Sequence, residues 1–158
     1  MTDGAYLIDS NILIRWVKPD DREYPLVNEA LDRLIEHGCT LFYTSQNLAE
    51  FWNTCTRPVE QNGFGLSIEE TDARASAIES TLDLLPDGDA IHLEWRRLVV
   101  AFRVSGAKVH DARLVAAMHV HGVQRIVTFN ARDFARYTSV EALHPKVLLD
   151  KPIERPTS

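Results

Sequence analysis

The chain has 158 residues, 45% of them hydrophobic and 25% charged, which suits one domain around a single sizeable core. No apolar run approaches the roughly 20 residues that span a bilayer, and "MTDGAYL" lacks the basic stretch and apolar core of a secretory signal. A net charge of −6 excludes a surface coated in positive charge for bulk nucleic-acid binding, but not a nucleic-acid enzyme that gathers cations with local acids.

"AYLID" (5–9) reads as a short strand buried on both faces, and Ser10 as the cap of a helix to about 17. "KPDDREYP" is a turn. From Leu26, a helical stripe of Leu26, Val27, Ala30, Leu31, Leu34 and Ile35 stops at Gly38. "CTLFYTS" (39–45) is a second strand, followed by a helix over about 46–56 and a loop through "EQNGFG". Ser67 and Glu70 form a capping-box pattern that opens a helix to about 80. "LDLLP" (82–86) is a third strand. A helix from about 90 carries Ile91, Trp95, Leu98, Val99 and Phe102 on one face and ends near Gly106. "HDARLVAAMHVHG" (110–122) is a helix that stops at Gly122, and "QRIVTF" (124–129) is a fourth strand. "KVLL" (146–149) is the candidate fifth strand, and the tail 151–158 reads as flexible. Strands alternating with helices imply a parallel sheet covered on both sides, with its site at the carboxyl ends of the strands.

Four acids stand out against that layout. Asp9 ends the first strand, where it is either a helix cap or a ligand aimed into a cleft. At about 100° per residue, Gln46, Glu50 and Asn53 fall opposite the apolar face of Leu48, Phe51, Trp52 and Cys55. Glu50 is therefore either part of a solvated face or a group beside the strand ends. Asp111 lies on the stripe of Leu114, Val115 and Met118. It is either an acid answering the helix dipole or an inward charge that needs a partner. Asn130 and Asp133 follow the fourth strand, and Asp133 is either a cap or ion-pair partner or a further ligand. Together they offer oxygen ligands, which suit Mg²⁺ or Mn²⁺ rather than zinc. No His or Cys pair has zinc-finger spacing, and His119 and His121 read as surface residues. Cys39 and Cys55 read as packed free thiols of a cytoplasmic protein. Arg15, Arg57, Arg113 and Arg132 lie near the motifs and read as surface arginines.

The motifs "LIDSNIL", "TSQNLAEFWN", "HDARLVAA" and "IVTFNARDF", in this order, resemble the PIN-domain family, and within it VapC-type toxins of bacterial toxin–antitoxin pairs. The match covers about 6–149, so 1–150 is expected to be a single PIN domain. The resemblance implies an α/β chain in a three-layer α/β/α fold, with a central parallel sheet of four to five strands. It implies a Mg²⁺- or Mn²⁺-dependent endoribonuclease, a VapB-like antitoxin partner covering the acidic cleft, and a homodimer. Asp9, Glu50 and Asp111 match the family's metal-binding acids, and Ser10 and Asn11 match polar residues beside the first. Many members have Asp where this chain has Asn130, so Asp133, in the "N-x-x-D-F" form, is taken as the fourth acid and Asn130 as a neutral contact.

Two other readings compete. A strand ending in Asp also opens haloacid-dehalogenase-type phosphatases, but these need a second Asp two residues on, where this chain has Asn11. A PIN-like module that binds RNA or protein without cutting would need no complete acid set.

Overall fold

The computed structural model describes residues 4–150, 152 and 153. Five strands, β1 Ala5–Ile8, β2 Thr40–Tyr43, β3 Asp83–Leu84, β4 Arg125–Val127 and β5 Glu141–Leu143, form one parallel sheet in the order β3-β2-β1-β4-β5. The helices are α1 Ser10–Trp16, α2 Tyr24–Glu36, α3 Ser45–Thr56, α4 Ile68–Thr81, α5 Asp89–Ala101, α6 Lys108–His121 and α7 Pro145–Asp150.

The sheet separates two cores, and side chains alternate between them as a strand's period of two requires. Tyr6, Ile8, Leu41, Tyr43 and Val127 face one core, which α1, α2, α3, α4 and α7 complete with residues such as Ile12, Leu31, Phe51, Ile78 and Leu148. Leu7, Phe42 and Ile126 face the other, closed by Leu98 of α5 and by Val115 and Met118 of α6. Both faces of the central strands are thus buried, as crossovers covering a parallel sheet dictate. This is the expected three-layer α/β/α arrangement, with five strands. Cys39 and Cys55 are buried free thiols, as read from the sequence. Among the described residues no helix is long and apolar enough to cross a membrane.

Several elements differ from the sequence reading. The fifth strand is not 146–149 but Glu141–Leu143, and "KVLL" lies in α7. Proline suits the first turn of a helix, and Pro145 and Leu148, three residues apart, are the buried pair of α7 while Lys146 is exposed. That is a helix's spacing, not a strand's. Helix α2 starts two residues earlier than Leu26, with Pro25 in its first turn, and α6 starts at Lys108 rather than at residue 110. Helix α5 stops at Ala101, leaving Phe102 38% exposed. Ser67 caps α4, its Oγ accepting from the Glu70 amide at 3.0 Å, and its hydroxyl donates to Glu70 Oε1 at 3.2 Å. The two histidines are engaged rather than simply solvated. His119 contacts Glu94 and Ser139, each at 2.6 Å, and His121 contacts the Pro86 carbonyl at 2.8 Å. Of the tail, Ile153 packs on the first core; residues 151 and 154–158 lie outside the described residues.

Candidate active site

The strand order reverses at β1, whose neighbours β2 and β4 are reached by crossovers in opposite directions. A crevice opens at the carboxyl ends of strands at such a switch point. Asp9 stands there, its amide donating to the Val127 carbonyl at 3.0 Å.

Asp9 is a helix cap that also stands at the carboxyl end of β1. Its extended backbone makes it the N-cap of α1, and Oδ1 accepts the Ser10 amide at 2.7 Å. Ser10 is therefore not the cap that the sequence suggested, and its hydroxyl is free for another partner. Oδ2 of Asp9 accepts from Thr128 Oγ1 at 2.8 Å. Thr128, fully buried just after β4, in turn accepts from the Asn130 amide at 3.0 Å and from Asn11 Nδ2 at 3.4 Å. Asn11 Oδ1 takes the Phe129 amide at 3.3 Å. Asn11 and the Asn130 main chain thus hold the start of α1 against the loop after β4, and Thr128 passes that order to Asp9.

Glu50 lies one turn or more into α3 and is half-buried. Its Oε2 accepts from Ser10 Oγ at 2.7 Å and its Oε1 from Gln46 Nε2 at 3.0 Å. Gln46 also donates to the His110 carbonyl at 2.9 Å, which ties α3 to the turn of α6 that carries Asp111. Asn53, placed on the same face by spacing, is exposed.

A chain of directed hydrogen bonds stands behind Glu50. Asn47 is fully buried, and its Oδ1 accepts from both the Thr44 amide at 3.0 Å and the Thr44 hydroxyl at 2.9 Å. Its NH₂ must then face Ser10 Oγ, 3.1 Å away. Because the Ser10 hydroxyl accepts there, its own proton is committed to Glu50. The same Thr44–Asn47 pair forms the capping box of α3. Sequence reasoning missed Asn47 and passed over Thr128. The signal for the first was present as Thr-x-x-Asn at the start of α3; the second had none beyond its place at a strand end.

Asp111 and Asp133 are the remaining two acids. Asp111 is half-buried in the first turn of α6, and Asp133 sits on a 3-10 turn, Ala131–Phe134, after β4. Asp133 Oδ1 meets Lys108 Nζ at 2.5 Å. The arginines near the motifs are otherwise engaged: Arg15 with the Asn11 carbonyl, Arg57 with the Asn62 carbonyl and Arg113 with Asp87, while Arg132 is exposed.

The electrostatics show that the acids sense one another. Burial pushes Asp9 up to about 6, the Thr128 and Ser10 hydrogen bonds pull it back, and the charges of Glu50 and Asp111 push it up again. Burial also raises Asp111, with Asp133 and Glu50 adding to the rise and Lys108 opposing it. Among the described residues no three His, Cys, Asp or Glu side chains are already gathered closely enough to cage an ion. The donor set is nonetheless oxygen-only and mutually repulsive, which fits a hard divalent cation whose charge would draw the carboxylates in.

No curated protein matches the chain. Among solved structures it is similar to a chain of VapBC2 from Rickettsia felis bound to a DNA fragment from their promoter, at 15% identity and TM-score 0.67, covering 89% of this chain and 98% of that one. It is similar to DNA-bound VapBC from Salmonella typhimurium at 17% identity and TM-score 0.66, covering 92% and 99%. It is also similar to VapC20 from Mycobacterium tuberculosis, a sarcin–ricin loop cleaving toxin, at 15% identity and TM-score 0.63, covering 86% and 98%. Identities this low establish the shared fold alone. A family model adds sequence to fold: residues 6–139, from β1 to the loop before β5, match the PIN domain, and the chain belongs to the PIN-domain family.

Proposed function

We propose that the chain is a Mg²⁺- or Mn²⁺-dependent endoribonuclease, the toxin of a VapBC-type pair, acting in the cytoplasm. The observation that carries the reading is Asp9, a buried acid at the switch point of the sheet, joined through Ser10 to Glu50 and sensing Asp111. The family and the toxin–antitoxin neighbours support it.

In this reading Asp9, Glu50 and Asp111 hold the cation, with Asp133 at the rim and Asn130 as a neutral contact. When bound, the cation supplies positive charge against the RNA phosphate and makes water a stronger acid. The chain's own residues do the positioning. Thr128 and the Ser10 amide fix both oxygens of Asp9, and Ser10 and Gln46 fix both oxygens of Glu50. Ser10 is a positioning residue in this reading, its hydroxyl orienting Glu50, because hydrolysis by water needs no side-chain nucleophile. A VapB-like antitoxin would cover the acidic cleft, and the toxin would form a homodimer.

A PIN-like module that binds RNA or protein without cutting draws on one observation, that the acids are not pre-gathered. Incubating a mixed RNA pool with the protein and Mn²⁺ or Mg²⁺, with EDTA, and with Asp9→Asn separates the two. Cation-dependent cutting that Asp9→Asn loses is the expected result. Equal cutting by wild type and Asp9→Asn refutes the site. RNA binding with no cutting under any condition favours the binding module.

A further inference from the structure

We infer that Lys108 is a built-in cation at Asp133, so that the chain takes up one divalent cation, held by Asp9, Glu50 and Asp111, rather than two. The inference rests on the cation-dependent reading above and deepens it.

Lys108 is the first residue of α6, where unpaired amides make a helix end electropositive and a cation is ill placed. The residue before it, Ala107, offers no side-chain cap. What answers the lysine is acid. Its ammonium meets Asp133 Oδ1 at 2.5 Å, reaching from α6 to the turn after β4. One turn along α6 lies Asp111, whose ionised form Lys108 favours while Asp133 opposes it. A positive charge is therefore already paired with Asp133, one helical turn from Asp111. On the other side of the cleft the donors to Asp9 and Glu50 are the Ser10 amide and hydroxyl, the Thr128 hydroxyl and the Gln46 amide, all neutral. Asp133 thus has a cationic partner, while the hydrogen bonds to Asp9 and Glu50 bring none. A second dication at Asp133 would have to displace the ammonium or share its carboxylate against like-charge repulsion. Asn130, on the same turn, adds no charge to attract one.

The test is a count of Mn²⁺ bound per chain, by titration calorimetry and by electron paramagnetic resonance of free Mn²⁺, on wild type, Lys108→Met, Lys108→Arg and Asp9→Asn. Lys108 is 47% exposed, so its variants should keep the fold, which circular dichroism checks. Wild type is expected to bind one ion and Asp9→Asn to lose it. Lys108→Met should gain a second site, at least about tenfold tighter than any second uptake by wild type, and Lys108→Arg should stay at one. Two equal sites in wild type, or one site unchanged in Lys108→Met, overturns the role of Lys108 and leaves the cation-dependent reading standing. No uptake by wild type or Lys108→Met overturns both.

Discussion

Replacing Asp9 with Asn is expected to stabilise the fold at neutral pH even as it removes the proposed activity. Asp9 is 8% exposed and its carboxyl is pushed from an ordinary 3.8 up to about 6, mainly by burial. For an acid, a folded value above the unfolded one means that the folded state prefers the proton. Below about pH 4 both states are protonated and nothing is lost. From there to about pH 6 the folded state holds a proton that the unfolded state has released, so stability falls as pH rises, and above about 6 the full cost applies. At about 1.4 kcal/mol per pH unit of separation, ionised Asp9 costs about 3 kcal/mol. A carboxamide carries no charge. Its oxygen can still take the Ser10 amide, but its NH₂ then faces Thr128 Oγ1, whose lone pairs already accept from the Asn130 amide and Asn11 Nδ2 and whose proton loses its acceptor, a mismatch costing about 1–3 kcal/mol. A net gain of about 1 kcal/mol at pH 8 is expected, which for a domain of this size is roughly 2–4 °C in Tm. Urea and thermal melts of both proteins, without divalent cation, from pH 3.5 to 8 give the comparison. The gap should open between about pH 4 and 6. A variant less stable than wild type at pH 8, or a gap constant across that range, would refute the charge-burial argument.

Two further outcomes follow from the packing. Asn47→Ala leaves the Thr44 amide and hydroxyl without their shared acceptor and Ser10 without its donor, so with buried unsatisfied groups costing about 1–3 kcal/mol the urea midpoint should fall by the equivalent of about 2–4 kcal/mol; a change under about 0.5 kcal/mol would remove Asn47 from the relay. Leu148→Ala should cost about 2–4 kcal/mol, because α7 seals the first core rather than fraying at a sheet edge, and chemical denaturation reads the difference.

What the sequence revealed and concealed divides along physical lines. The central strands were legible because burial on both faces needs unbroken apolar runs, as in "AYLI" and "TLFY". The end of β1 was legible because an acid directly after such a run breaks the pattern. Strand β5 was hidden because "EAL" pairs only with β4 at the sheet's edge and its Glu141 is exposed. The apolar "KVLL" nearby imitated a strand, and only Pro145 at its front marked a helix start. Lys108 was hidden for a different reason. The helix was read from residue 110, which left the lysine in a loop, and its partner Asp133 is 25 residues away with no local signal joining them.

The misread cap has the largest consequence for the site. Had Ser10 been the N-cap of α1, its hydroxyl would have been spent on an amide two or three residues on. With Asp9 in that place, the first-turn amide goes to the Asp9 carboxylate and the Ser10 hydroxyl is released toward α3. One residue then touches both acids, by its main chain at Asp9 and by its side chain at Glu50. The two carboxylates are consequently not independent groups on separate elements. Each is fixed by donors whose own protons are committed, Thr128 through Asn130 and Asn11, Ser10 through Asn47 and Thr44. These donors are neutral, so they orient the acids without cancelling their charge. Burial, which these hydrogen bonds only partly offset, keeps Asp9 raised, and with no cation among its donors the Asp9–Glu50 pair stays short of positive charge, the condition under which an incoming cation gains most.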